Sequence, residues 1–220
     1  MFNEGHTARS GAVMRLDLQA EALRLGRLLC DLVPRDPEAV GVVALIAFGV
    51  ARAATRVDAE GTPVLLAAQD RTRWNRALIR EGLMALSRAR GLGGRGSYVL
   101  QAEIAAVHVT APTWESTDWT AIVALYDALA AAAPSPIVAL NRAIAVAMRD
   151  GPAAGLAALA SLEAALADYH LFYAARADLL ERSGRNPLPD LRRALARVTN
   201  DGERRLLEQR IGRLVRERGG

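Results

Sequence analysis

Lysine is missing from this chain: all 28 of its basic residues are arginine. Schiff-base chemistry and the lysine of a phosphate-binding P-loop are therefore excluded, and any cation at work is a planar, permanently charged guanidinium. Cysteine occurs once, at Cys30, which excludes an internal disulfide and a cysteine-built metal site. Set in Leu28-Leu29-Cys30-Asp31-Leu32, it reads as a small core residue. Aromatics make up only 5% of the chain, and His6, His108 and His170 are its three histidines. None falls in a His-x-x-x-His or mixed Cys/His spacing, so no metal and no other cofactor is expected. There is no Gly-x-Ser-x-Gly elbow, and the composition by itself argues for no catalytic chemistry. The longest apolar run, Ala39 to Ala51, is closed by Glu38 and Arg52 and falls short of the ~20 residues of a membrane span. With no basic, apolar leader at the N-terminus, a cytoplasmic protein without membrane contact is expected.

What the chain has in quantity is alanine and leucine. Its 220 residues are 51% apolar, enough to bury a core, and this composition favours closely packed helices over sheet. Arg15 to Leu32 is amphipathic at helical spacing. Asp36-Pro37 is a cap followed by a proline at the first helical position, opening a helix to about Arg56. Val57 to Pro63 reads as a loop or short hairpin, and a third helix is expected from about Gln69 to Ala89. The glycine-rich stretch 91–96 reads as a flexible connection; its amides offer an anion cradle, although it lacks the P-loop pattern. Helices are expected at 97–110, 117–133, 136–149, 153–166 and 169–182, then from Pro189 and from Glu203 to Arg218. Gly151 and Gly184 stop two of them 33 residues apart, close to the period of tetratricopeptide (TPR) helical hairpins. The expected fold is all-α, with stacked antiparallel helix pairs that are TPR-like in the C-terminal half. It forms a single domain over 1–220, or two packed lobes, 1–90 and 97–220, joined through 91–96.

Polar groups recur inside these greasy helices. Asn141-Arg142 sits in Pro136–Met148, where an arginine must reach a carboxylate, a carbonyl or water. Asp70-Arg71, Tyr126-Asp127, Tyr169-His170 and the pair Arg176 and Asp178 repeat the device. Asp118-Trp119 reads as a helix cap with an anchoring indole. The net charge of +4 is concentrated at the end: Glu181 to Gly220 holds 11 arginines against 6 acids. Interleaving of the signs points to an ion-paired helix face rather than a nucleic-acid surface.

Taken together, these segments resemble the long C-terminal extension of a group of bacterial extracytoplasmic-function RNA polymerase sigma factors. The likeness runs from Phe2-Asn-Glu-Gly5, with His6 in place of the family's tyrosine, through Arg15-Leu-Asp-Leu18, Gln69-Asp-Arg71 with Trp74, and Gly96-Ser-Tyr98 with Gln101. It continues through Thr117-Asp-Trp119, Leu125-Tyr-Asp127, Leu140-Asn-Arg142, Tyr169-His170 and Arg176-Ala-Asp-Leu-Leu180. Asn186-Pro187-Leu-Pro189 departs from it and is expected to shorten the penultimate helix. The resemblance implies an accessory domain that modulates transcription initiation through protein–protein contacts. The partners it implies are sigma regions 2 and 4 of the parent polypeptide, which would precede Phe2, core RNA polymerase, or a regulator of the DGPF/YCII-like kind. It implies no direct sequence-specific reading of DNA by these residues.

The alternative is a small-molecule sensor or cryptic enzyme with a polar pocket between helices. Either way, the candidate interaction or pocket residues are Asn3, Glu4, Asp70, Arg71, Gln101, Tyr126, Asp127, Asn141, Arg142, His170, Arg176 and Asp178.

Overall fold

The computed structural model describes residues 16–219, with side chains from Leu18 to Glu217. Among the described residues there are ten α-helices and no strand, so the all-α expectation holds. The chain divides into two compact units, and each is built from separate stretches. Among the described residues, one comprises 16–56 and 66–135; the other comprises 57–65 and 136–219. The glycine-rich stretch 91–96 thus lies inside the first unit, and the division falls at Ser135/Pro136.

The first unit is organised around α2 (Pro37–Ala51), which packs on α1 (Leu16–Leu32), α3 (Arg76–Gly91) and α4 (Ser97–Thr110). Asp36 caps α2 by accepting the Glu38 amide at 2.8 Å, and Pro37 occupies the first turn, as the sequence predicts. Being apolar on nearly every side, α2 suits a position with neighbours all round. The stretch Pro37–Thr55 is long and apolar enough to cross a membrane by length and composition, which the shorter count of Ala39–Ala51 missed. Here 61% of that window is buried inside the fold, as in a core helix. α3 crosses α2 where Gly82 meets Phe48: a Cβ on Gly82 would lie 2.5 Å from the ring. Only glycine lets Phe48, 1% exposed, fill that space, a burial that contributes roughly 3 kcal/mol.

Two boundaries differ from the sequence reading. α3 starts at Arg76, not near Gln69, because short polar side chains claim the preceding amides. Asp70 caps a single 3-10 turn at Arg71–Arg73, and Asn75 Oδ1 accepts the amides of Ala77 and Leu78. α5 (Trp119–Ala132) begins where expected, with Asp118 accepting from the Ala121 amide at 2.9 Å.

The second unit contains α6 (Pro136–Asp150), α7 (Pro152–Leu159), α8 (His170–Arg182), α9 (Leu188–Arg197) and α10 (Asp201–Gly219). Each packs chiefly on its neighbour in sequence. Gly151 and Gly184 take the positive φ values (97° and 70°) that reverse the chain after α6 and α8 without Cβ strain. α7 is shorter than expected, giving way to a 3-10 turn at Ala160–Leu162. α9 is ten residues long, in line with the shortening expected from Pro187 and Pro189. The core lies between Leu140, Ile144, Leu159, Phe172, Leu179 and Leu191. Val57 pairs with Pro63 in one antiparallel bridge, the short hairpin foreseen in the loop.

Candidate functional site

In the first unit α4 touches both α3 and α5 and leaves an open trough above itself. Each helix supplies residues three and four apart: Leu83, Leu86 and Arg90 from α3, Glu103, Ala106 and Val107 from α4, Ala121, Ala124 and Leu125 from α5. The small side chains of α5 make the hollow, about 540 Å³ in volume. A second hollow of about 430 Å³ adjoins it and runs toward Gly94, Leu100 and Ala128. Arg90 and Glu103 line both, and Arg90 Nε donates to Glu103 Oε1 at 2.7 Å, tying α3 to α4. The trough is an apolar bed with one ion pair along it, suited to the apolar face of a helix or an extended segment.

None of the polar residues picked from the sequence lines this trough. The signal that could have found it is the Ala121, Ala124, Ala128 spacing on α5. Read in one dimension, that stripe is core; in the fold both Ala124 and Ala128 are exposed.

Asp70 and Arg71 belong to a different place in the same unit. Asp70 is exposed, and its carboxylate accepts from the Thr72 hydroxyl (2.6 Å) and amide (2.9 Å), which together hold its pKa below the usual aspartate range. Arg71 Nη1 donates to the carbonyls of His108 and Ala111 at 2.7 and 2.8 Å, closing the C-terminal end of α4. Its guanidinium lies 4.7 Å from the centre of the buried Trp74 ring, and that of buried Arg52 lies 5.6 Å from it. Trp74 Nε1 donates to Thr55 Oγ1, and Arg52 Nε to Gln69 Oε1. Burial lowers the pKa of Arg71, with Glu115 opposing the shift. His108 meets Trp119 edge-on at 5.4 Å, and Trp119 meets Trp114 at 5.0 Å, so the chain's three tryptophans gather here. Gln101 donates back to the Ser97 carbonyl of its own helix. Tyr126 and Asp127 lie on α5, half-buried and exposed respectively.

Asn141 and Arg142 sit in the second unit, on the edge of the buried face of α6 formed by Leu140, Ala143 and Ile144. Both are half-buried, so the arginine is not sealed in a core. His170 Nε2 lies 2.9 Å from Glu203 Oε2, tying α8 to α10. Arg176 grips buried Asp190 on α9 with two bonds of 2.7 and 2.8 Å and reaches Glu163 at 2.9 Å. Its guanidinium also stacks on Phe172 and Tyr173 at 5.0 and 5.5 Å. The Asp190 bond dominates and raises the pKa of Arg176. Asp178 turns instead to α10, where Arg210 bonds it at 3.3 Å and Glu181 at 2.5 Å. Arg176 and Asp178 are therefore two separate ties, not a pair. Glu163, Asp190, Glu203 and Arg210 were not singled out in the sequence. Their interleaving with other charges hid which contact each would make.

Of the twelve residues picked from the sequence, Asn3 and Glu4 lie outside the described residues. The other ten are divided between the units: Asp70, Arg71, Gln101, Tyr126 and Asp127 in one, Asn141, Arg142, His170, Arg176 and Asp178 in the other. Among the described residues, no group of three or more His, Cys, Asp or Glu side chains is placed to hold a metal ion.

Comparison with known proteins adds two likenesses. Residues 1–90 match a family model described as "Family of unknown function (DUF6596)". No solved structure matches the chain. Along its length it is 41% identical to an uncharacterized protein of Rhizobium meliloti (strain 1021), over 99% of this chain and 52% of that protein. The chain thus spans about half the length of the curated relative it resembles.

Proposed function

We propose that this chain is a regulatory accessory domain of a bacterial sigma factor, acting in the cytoplasm as a protein-binding module rather than as an enzyme. The TPR-like stacking read from the 33-residue repeat belongs to the same proposal, since repeats of this kind serve partner binding. Its partners are sigma regions 2 and 4 of a longer polypeptide, core RNA polymerase, or a DGPF/YCII-like regulator. The carrying observation is the α3–α4–α5 trough, an open apolar bed with one ion pair along it, which suits a peptide segment. The resemblance spread along the chain supports the transcriptional setting. So does a bacterial relative of about twice the length, which leaves room for further regions.

Co-purification tests the reading. The tagged chain should retain purified sigma regions or core polymerase, and Ala124→Arg, at an exposed position in the trough, should abolish retention while the melting temperature stays unchanged. Failure to retain either, with and without a DGPF/YCII-like protein, overturns it.

Arg71 favours a second reading, that of a small-molecule sensor. Its Nη2 is buried and makes no hydrogen bond among the described residues, an unmet donor of the kind that anion sites use. Stabilisation by a metabolite in a thermal-shift screen, lost in Arg71→Ala, would move the conclusion to that reading.

A further inference from the structure

α1 carries two apolar faces and uses one. Leu23, Gly26 and Cys30 are turned inward, where α1 packs on α2. Leu18, Leu25, Leu28, Leu29 and Leu32 lie on another side of the helix, each between 42% and 71% exposed. Five leucines exposed along one helix are not the scattered singles of an ordinary surface. Their spacing is a heptad. Leu18, Leu25 and Leu32 recur every seventh residue, with Leu28 three and Leu29 four positions after Leu25.

The edges of this stripe select its partner. Arg24 and Asp31, both exposed and seven residues apart, stand along one edge; Ala22 and Leu29 stand along the other. In an antiparallel pair of helices each edge meets its own kind, and in a parallel pair it meets the opposite edge. An antiparallel copy of α1, set with Leu25 against Leu28 of the second copy, brings Ala22 against Leu29 on one edge and Arg24 against Asp31 on the other. Two-fold symmetry makes each of these contacts twice. A parallel copy would set Arg24 against Leu29 along both edges and Glu21 against Glu21 in the seam, whereas the antiparallel one sets Glu21 beside Leu32. Arg24 is at present held by Glu21 at 2.7 Å, an exposed pair with side chains 61% and 47% accessible. Sharing that guanidinium with a second carboxylate therefore costs little.

We infer that α1 is a self-association surface: two copies of this chain join through antiparallel α1 helices, with Leu25 and Leu28 as the seam, Leu29 beside it and two Arg24–Asp31 ion pairs along its edge. In this register the two helices overlap over residues 21–32, ~18 Å of helix, so the interface falls at the small end of specific contacts and is reversible, with Kd on the order of 100 μM.

Sedimentation equilibrium of the full chain from ~10 μM to ~1 mM tests this. A monomer–dimer equilibrium is expected. Leu25→Glu should abolish it without lowering the melting temperature, and Leu25→Ser serves if the glutamate variant misfolds. Arg24→Glu or Asp31→Arg alone should weaken the dimer on the order of tenfold, and the two together should restore it. A monomer at ~1 mM, a dimer indifferent to both Leu25 variants, or a double charge variant no tighter than the single ones overturns the inference. So does a monomeric chain whose α1 stripe instead binds purified sigma regions.

Discussion

The carboxylate of Glu38, in the first turn of α2, accepts the amide of Tyr98 at 2.9 Å and that of Val99 at 3.3 Å, where α4 begins. The amides that hold this anion belong to the first turn of α4, just past the glycine-rich stretch, and the anion is the protein's own. Gly96 makes the room: a Cβ there would crowd the Glu38 carboxyl group. Gly96→Ala should therefore destabilise the fold by about 1–3 kcal/mol and Glu38→Ala by about 1 kcal/mol in urea unfolding. The double variant should lose less than the sum, because both changes act on one contact.

Arg71 and Trp74 make a second prediction. Arg71→Ala removes two hydrogen bonds to the end of α4 and the cation over the indole, and should cost about 2–3 kcal/mol. Arg71→Lys should recover little of it, since an ammonium reproduces neither the fork nor the stacking. Near-ultraviolet circular dichroism should change in both variants because all three tryptophans lie in this region.

Asp190 is the buried member of the α8–α9 tie, 4% exposed, with Arg176 on both of its oxygens. Asp190→Ala leaves Arg176 with Glu163 alone and should cost about 3 kcal/mol, seen as a lowered urea midpoint. Glu163→Ala, at a half-exposed position, should cost under about 1 kcal/mol.

Glu181 makes stability depend on acid. Burial raises its pKa, but hydrogen bonds from Arg210 and Arg213 outweigh that and hold it below the ordinary 4.5. A carboxylate whose pKa is depressed on folding stabilises the protein above its unfolded value. That contribution is lost as pH falls through the folded value. Thermal melts of Glu181→Gln should thus show a deficit at neutral pH that shrinks as pH falls through the depressed folded value.

The capping chemistry was legible in one dimension: Asp36, Asp118, Gly151 and Gly184 all do what their positions implied, because a cap depends on residues within one turn. The start of α3 was not, since the sequence around Asp70 and Asn75 suits a helix until their side chains are seen to take the amides. The polar residues were correctly found and incorrectly grouped. Asp70, Arg176 and Asp178 bind local or neighbouring partners, and a sequence with 28 arginines and 24 acids offers too many equivalent pairings to choose among. The trough was invisible because an alanine stripe has the same period whether a helix covers it or not.

The hairpin at 57–65 and the start of α10 belong to one unit although 70 residues of the other lie between its two stretches. Arg205 bonds the Glu60 carbonyl at 2.9 Å across a separation of 145 residues, and Gly202 backs onto the Gly61 carbonyl. On the ribosome the hairpin emerges roughly ten seconds before its partner helix, at the usual pace of synthesis. During that interval the whole of α2–α5 that surrounds it in sequence can close, while the hairpin waits with its own contacts unmade. A single peptide-bond cut can therefore never release the α6–α10 unit intact, and the order of synthesis places its last contact at the far end of the chain.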